Sequence, residues 1–165
     1  MRRKDREMPE TFAWEVAGKC EWATLGMIDP SGEPYAIPIS IACENQHIYF
    51  HSAQEGFKIE CLQNHAQVCV SCVGDTYRLK DAFTTEFESA VLRGTAVEIT
   101  EEQEKIHALR LLCQRHTPTN MDDFDQAISR SLSRTAIWRI DVVEITGKRK
   151  KYDAIGKEMK FGRME

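Results

Sequence analysis

Residues 49–62, YFHSAQEGFKIECL, place a histidine, a serine, a glycine and a lysine where an apolar strand pattern gives way to a helical one. Two chemistries suit that spacing. In one, Ser52-Ala-Gln-Glu55 is a capping box. Ser52 is then the N-cap, Glu55 reaches back to it, Phe57, Ile59 and Leu62 supply apolar contacts, and Lys58 is solvated. In the other, the turn cradles a phosphate. Gly56 lets the backbone approach, N–H groups at the helix start point at the anion, and Lys58 neutralises it. The capping box leaves Gly56 inside the helix, where Gly costs about 1 kcal/mol relative to Ala, and sets a cation at the end the dipole disfavours. Glu55 argues the other way unless its side chain turns from the phosphate. His51 is either a structural residue of a strand end or a proton donor, since its ordinary pKa lies near neutrality.

A second stretch, YAIPISIACE, alternates a core face (Tyr35, Ile37, Ile39, Ile41, Cys43) with a face of mostly small residues (Ala36, Pro38, Ser40, Ala42, Glu44). Pro38 cannot donate to a ladder, so the strand belongs at an edge or carries a bulge. Its small face either meets solvent or lets a flat ligand approach the backbone. The six cysteines are Cys20, Cys43, Cys61, Cys69, Cys72 and Cys113. Cys69-Val-Ser-Cys72 spells CxxC, but it lies in the apolar run Val68–Val73, where alternation sends the two thiols to opposite faces. No second CxxC or His pair accompanies it, so buried reduced thiols in a reducing compartment are expected rather than a metal or redox centre.

These residues need elements to position them. Glu10–Lys19 reads as a short helix, Trp22–Ile28 as a strand, and Asp29-Pro-Ser-Gly-Glu-Pro34 as a turn. Tyr35–Glu44 and His47–Ala53 follow as strands two and three, giving an antiparallel meander. A helix over Gly56–Asn64 leads to strand four, Ala66–Val73. Gly74–Thr85 is polar and reads as a loop. Phe87–Ile99 is a long fifth strand with a bend or bulge at Gly94. Thr100-Glu-Glu-Gln103 spells a capping box before the stripe Ile106, Leu109, Cys113. Met121, Phe124, Ile128 and Leu132 predict a further helix after Pro118, and Ala136–Thr146 is the sixth strand. A single domain over residues 1–165 is expected, mainly β with helices: a six-stranded, mostly antiparallel barrel or sandwich.

A net charge of −4 argues against a nucleic-acid footprint. Charge-free stretches such as Tyr35–Cys43 are too short to span a membrane, and no apolar stretch follows the basic start MRRKDRE, so a cytoplasmic protein is expected.

Together MRRKDRE, PYAIPISI, IYFHSAQEGFKI with NHAQVCV, TTEFESAVLRGTAVEI and IWRIDVVEITGK resemble the pyridoxamine 5′-phosphate oxidase-like family of FMN-binding split barrels, and within it the nitroimidazole-resistance subfamily. The resemblance implies a six-stranded split barrel and a homodimer with flavin at the subunit interface. It implies that Pro38, Ile39 and Ser40 line the isoalloxazine, that His51 and Ser52 lie beside it, that Lys58 and the backbone at Gly56 hold the FMN phosphate, and that Ser89 approaches the flavin. FAD would fit the same cradle. His51 is the candidate catalytic residue, with a nicotinamide donor and a small nitroaromatic acceptor as partners. The chain departs from the family pattern at Phe57, where a basic residue is frequent, and along Ile39-Ser-Ile-Ala-Cys43. Lys148-Arg-Lys-Lys151 reads as a solvated strand end, and the arginine-rich C-terminus of pyridoxamine phosphate oxidases is not evident. Two other readings stand beside the reductase: a flavin or haem carrier or sensor without turnover, and a cysteine-dependent redox or metal protein built on Cys69 and Cys72.

Overall fold

The structure is a computed structural model that describes residues 2–80 and 82–162. Among the described residues there are eight strands: β1 (Glu7–Met8), β2 (Ala23–Ile28), β3 (Pro34–Ile39), β4 (Ala42–Glu44), β5 (His47–Ala53), β6 (Gln67–Arg78), β7 (Thr85–Ile99) and β8 (Thr135–Lys150). The helices are α1 (Glu10–Lys19), α2 (Phe57–Asn64), α3 (Glu102–His116) and α4 (Phe124–Ser131). The expected count of six strands is therefore two short. The stretch expected as one strand over Tyr35–Glu44 is cut at Ser40–Ile41 into β3 and β4, and the segment before α1 adds β1, which pairs with the far end of β8.

That cut sets the architecture. The antiparallel sheet runs β3-β2-β6-β7-β8-β5-β4, so β3 and β4 are its two edges, yet only Ser40 and Ile41 join them. Two residues span less than about 8 Å even when extended, so the sheet must roll until its edges meet. The result is a barrel with a seam. The meander expected from Trp22–Ala53 becomes two separate hairpins, β2–β3 and β4–β5, on either side of it. The first is closed by Asp29, whose carboxylate accepts from the Ser31 and Glu33 backbone N–H groups at 2.8 and 2.9 Å.

Alternation fills the interior. Leu25, Ile39, Ile48, Phe50, Val70, Leu92 and Trp138 point inward, and α1 and α2 complete the core with Val16, Ala17, Ile59 and Leu62. A second cluster lies outside the barrel, where α3 and α4 cover Tyr49, Ile99 and Ile137 with Ala108, Leu109, Phe124 and Ile128. Both faces of β8 at Ala136-Ile-Trp138 are thus buried. The irregularity expected at Gly94 is a register shift that leaves Val143 bulged out of β8. A side chain at Gly94 would collide with the Asp141 backbone carbonyl.

The expected loop over Gly74–Thr85 is also corrected. β6 continues through a bulge between Val73 and Thr76 to Arg78, and β7 begins at Thr85. The bulge interrupts the apolar alternation, which is why the sequence reads as polar loop there. Inside it, Glu88 is buried and paired with Lys19 at 2.5 Å and Arg149 at 3.2 Å. At α3 the cap is Glu101 rather than Thr100: its carboxylate accepts from the Glu104 N–H at 2.8 Å.

Candidate functional site

The seam opens beside the stretch that first suggested chemistry. The β4–β5 ladder runs from Glu44↔His47 to Ala42↔Tyr49 and stops. Continued past Ala42, that register would set Ser40 opposite His51 and Ile39 opposite Ser52. Instead Ile39 pairs with Ala23 of β2, and β3 leaves with its sister strand. Five of the predicted site residues, Pro38, Ile39, Ser40, His51 and Ser52, therefore flank one slit. Pro38 lies outward on an edge strand, where its missing N–H costs nothing. Ile39 turns into the core and Ser40 is half-buried.

α2 closes the slit from one end. Phe57 packs edge-on against Tyr35 of β3, with ring centroids 5.0 Å apart. The turn before the helix is held by Gln54, whose amide donates to the Ser133 carbonyl at 2.7 Å. The capping box over Ser52–Glu55 is not built. Ser52 is still in β5 and buried, and its hydroxyl donates to the Ala53 carbonyl at 2.8 Å. The N-cap is Gly56, at φ +124°, with no side-chain cap on the helix and no heavy atom within 4 Å of where a Cβ would stand. Glu55 is exposed and plays no part in the cap. The start of α2 thus presents free N–H groups across a glycine with open space before it.

Lys58 lies on the first turn of that helix, half-buried, its ammonium 5.7 Å from the centroid of the Phe50 ring. No carboxylate pairs with it among the described residues. Burial pushes its pKa down. His51 is exposed on β5, yet the desolvation its neighbours impose on the ring comes first, then Lys58 and His116, in holding it below the ordinary imidazole value. His116 was not foreseen from the sequence. It ends α3, and its Nε2 lies 2.9 Å from the carbonyl oxygen of Ile41, in the two-residue link between β3 and β4. The only hint was a basic residue in the last helical turn before Pro118. Three groups able to carry positive charge therefore converge on the seam, and the uncapped helix start adds to their field. Such a site suits a phosphate or another compact anion.

Ser89 is not brought to this place. It pairs with Lys148 near one end of β8, whereas His51 pairs with Ile137 near the other, on the order of 30 Å of strand away at about 3.3 Å per residue. Ser89 lies on the outer face of β6 and β7, opposite Val73. That face is continuous with an open apolar concavity of about 540 Å³, lined by Gly26, Ala36, Cys69, Thr95 and Val143 among others. Val143 in that lining is 80% exposed, and Trp22, which lines a separate cavity with Val73, is 61% exposed. Cys69 turns outward and Cys72 inward, as alternation required. Among the described residues no group of three or more His, Cys, Asp or Glu could hold a metal ion, and no helix is long and apolar enough to cross a membrane.

The family model described as pyridoxamine 5′-phosphate oxidase matches residues 11–149. The chain belongs to that family. Solved structures agree on the split-barrel fold. A candidate 5-nitroimidazole antibiotic resistance protein from Bacteroides thetaiotaomicron is 25% identical, with a TM-score of 0.72 over 87% of this chain and 86% of that one. An FAD and haem binding protein from Mycobacterium smegmatis is 18% identical, with a TM-score of 0.74 over 94% and 82%. An FAD-binding protein from Mesorhizobium loti is 19% identical, with a TM-score of 0.64 over 88% and 98%. At the sequence level, no curated protein matched. The structure of this pyridoxamine 5′-phosphate oxidase family member has two strands more than the six expected.

Proposed function

We propose that this chain binds a flavin, FMN with FAD as the alternative, and works as an oxidoreductase that passes electrons from a nicotinamide donor to a small acceptor of the 5-nitroimidazole type. The observation that carries the reading is Lys58: a half-buried cation without a carboxylate partner, on the first turn of a helix whose N-terminus is uncapped and fronted by Gly56. That arrangement fits a phosphate monoester or diphosphate. The flavins of the Mycobacterium and Mesorhizobium proteins and the resistance role given for the Bacteroides protein support it.

The residues divide the work. Lys58 and the N–H groups after Gly56 hold the phosphate. Pro38 and Ser40 give the slit wall small side chains and Ile39, turned into the core, gives it backbone, so that a planar ring can lie against it. Ser40 offers a hydroxyl to the ring's polar edge. Flavin, when bound, supplies hydride and single-electron chemistry. His51 exchanges a proton with the acceptor at an imidazole nitrogen. In the ligand-free chain partial desolvation, Lys58 and His116 depress its pKa and so favour the neutral imidazole. A bound phosphate offsets those cations and raises its proton affinity, so His51 becomes a donor when the site is filled.

The reading includes a homodimer. Ser89 is too far along β8 to reach the slit of its own chain, so contact with the flavin requires a second copy. The outer face carrying Ser89, Val73 and the apolar concavity is the surface on which that copy would dock. A carrier or sensor without turnover is the second reading. It is favoured by the imidazole of His51, exposed at the slit, a group that suits haem iron as well as a proton relay.

One assay separates these. The purified protein loaded with FMN is reduced, mixed with a nitroimidazole without oxygen, and followed by flavin absorbance. Reoxidation faster than for free FMN supports the reductase. A rate equal to that of free FMN supports the carrier, and no flavin absorbance after incubation with FMN or FAD ends both flavin readings. Light scattering on the loaded protein tests the dimer, which a monomer mass would exclude.

A further inference from the structure

The CxxC of the sequence is a false pair, but the fold assembles a different one. Cys20 caps the C-terminal end of α1, its backbone N–H donating to the Val16 carbonyl at 2.9 Å. Its thiol meets that of Cys72, which points into the barrel from β6. Ala23, three residues along the chain, pairs with Cys72 in the β2–β6 ladder, which brings the end of α1 toward Cys72. Both cysteines are nearly fully buried, at 3% and 0% exposure.

A cation completes the cluster. Arg115, from the last turn of α3, donates to the Cys20 carbonyl at 2.6 Å and lies 3.8 Å from its sulfur. Its other terminal nitrogen, Nη1, is buried without a hydrogen-bond partner. A guanidinium placed there with unspent donor capacity is matched to a thiolate. The negative end of the α1 dipole disfavours such an anion, and Arg115 outweighs it. Contact with Cys72 first, and then Arg115, draws the Cys20 thiol down, while Cys72 is itself pushed up by Cys20 and by burial. Cys43, nearby, is pushed up to about 11 by burial and remains a thiol. Cys20 also lines a cavity of about 390 Å³ open to solvent, with Lys19, Trp22, Val73, Gly74 and Asp75 around it.

We propose that Cys20 and Cys72 form a reversible disulfide in response to hydroperoxides entering through this cavity. The Cys20 thiolate attacks the peroxide; an S–O bond forms, the O–O bond breaks, and the leaving alkoxide or hydroxide takes a proton. The Cys72 sulfur then attacks the Cys20 sulfenic acid; the S–S bond forms, the S–O bond breaks, and its oxygen leaves as water with the Cys72 proton. Two thiols lose two electrons and the peroxide gains them. A cellular dithiol reverses the reaction. Arg115 is a positioning residue that holds the thiolate.

The folded full-length protein is treated with hydrogen peroxide, quenched with an alkylating agent in denaturant, and mapped by mass spectrometry. The expected result is a Cys20–Cys72 cross-linked peptide, lost on adding dithiothreitol, that forms before Cys61, Cys69 or Cys113 is oxidised. In Cys72→Ser, Cys20 stops at the sulfenic acid and is captured by dimedone. In Arg115→Met, cross-linking slows by about tenfold, because loss of the neighbouring cation lowers the thiolate fraction; Arg115→Lys restores part of the rate. Oxidation of the outward-facing Cys69 first, or a cross-link that excludes Cys20 or Cys72, overturns the proposal. In the wild-type chain that order of reaction decides the matter even if a variant fails to fold.

Discussion

Phe57 of α2 meets Tyr35 of β3 edge to face, with ring planes at 75° and centroids 5.0 Å apart. This contact ties the helix that follows β5 to the strand on the other side of the seam. It also takes the place of the basic residue the family pattern led us to expect at Phe57. In place of a second phosphate cation, this chain has a clamp.

Phe57→Ala should therefore loosen the phosphate cradle without removing any of its charge. Aromatic pairs contribute about 0.5–1.5 kcal/mol beyond area burial, so unfolding by urea should show a loss of about 1 kcal/mol. FMN affinity should fall in the same variant while Phe57→Tyr retains both.

Gly56 is the cap of α2 at φ +124°, a conformation that side chains resist. The space in front of it is empty, so Gly56→Ala is penalised by backbone strain and not by collision. A cost of about 1–3 kcal/mol follows. A second effect separates cradle from plain helix start. If phosphate rests on these N–H groups, FMN binding weakens by more than the stability change explains, as fluorescence titration can show.

The depressed pKa of His51 has a definite sign in a pH titration. The folded value lies below the unfolded one of about 6.5. Above the unfolded value both states carry a neutral imidazole, and the folded state bears no penalty. As pH falls from there through the folded pKa, the unfolded chain takes up the proton more readily and stability is lost. His51→Gln removes this term. Its stability should decline less than wild type between pH 7 and pH 5, as measured by thermal melts. Equal slopes would mean that the imidazole is not desolvated beside Lys58 and His116.

Glu88 is a carboxylate in the barrel interior held by Lys19 and Arg149. Each cation can partly stand in for the other. Lys19→Met or Arg149→Met alone should be tolerated better than the pair. Together they strand a buried charge, a loss of about 3–5 kcal/mol. Chemical denaturation of the two singles and the double gives the coupling directly, and strict additivity would show that the two cations do not share the carboxylate.

Much of the fold was legible in the sequence because it follows period and caps. α1 forms where its pattern gave it, Cys69 and Cys72 of β6 take opposite faces as read, Trp138, Ile140 and Val142 of β8 share the core face, and Gly94 marks a true bulge. The seam was not legible. Ile39 and Ile41 are both buried, so alternation runs unbroken through Ser40 while the chain changes ladder partners. Only long-range pairing tells β3 from β4. The same limit hid Arg115 and His116, which act at sites distant in sequence. The Ser52–Glu55 spelling misled because strand pairing with β8 extends through Ala53 and carries Ser52 away from the helix start. The site itself fared better. His51, Ser52, Gly56 and Lys58 lie on one continuous stretch, and Pro38, Ile39 and Ser40 come to it across the seam. Ser89 was placed with them only by resemblance, and one chain does not bring it there.

The central claim is that Lys58 and the start of α2 hold a flavin phosphate. Titration of the purified protein with FMN, read by flavin fluorescence and repeated with Lys58→Ala and Lys58→Arg, tests it most directly. A hydrogen bond to a charged group is worth about 1.5–3 kcal/mol, so Lys58→Ala should weaken FMN by roughly ten- to a hundredfold. Riboflavin, which lacks the phosphate, should bind both proteins equally, and Lys58→Arg should keep most of the affinity. Unchanged FMN affinity in Lys58→Ala would contradict the account.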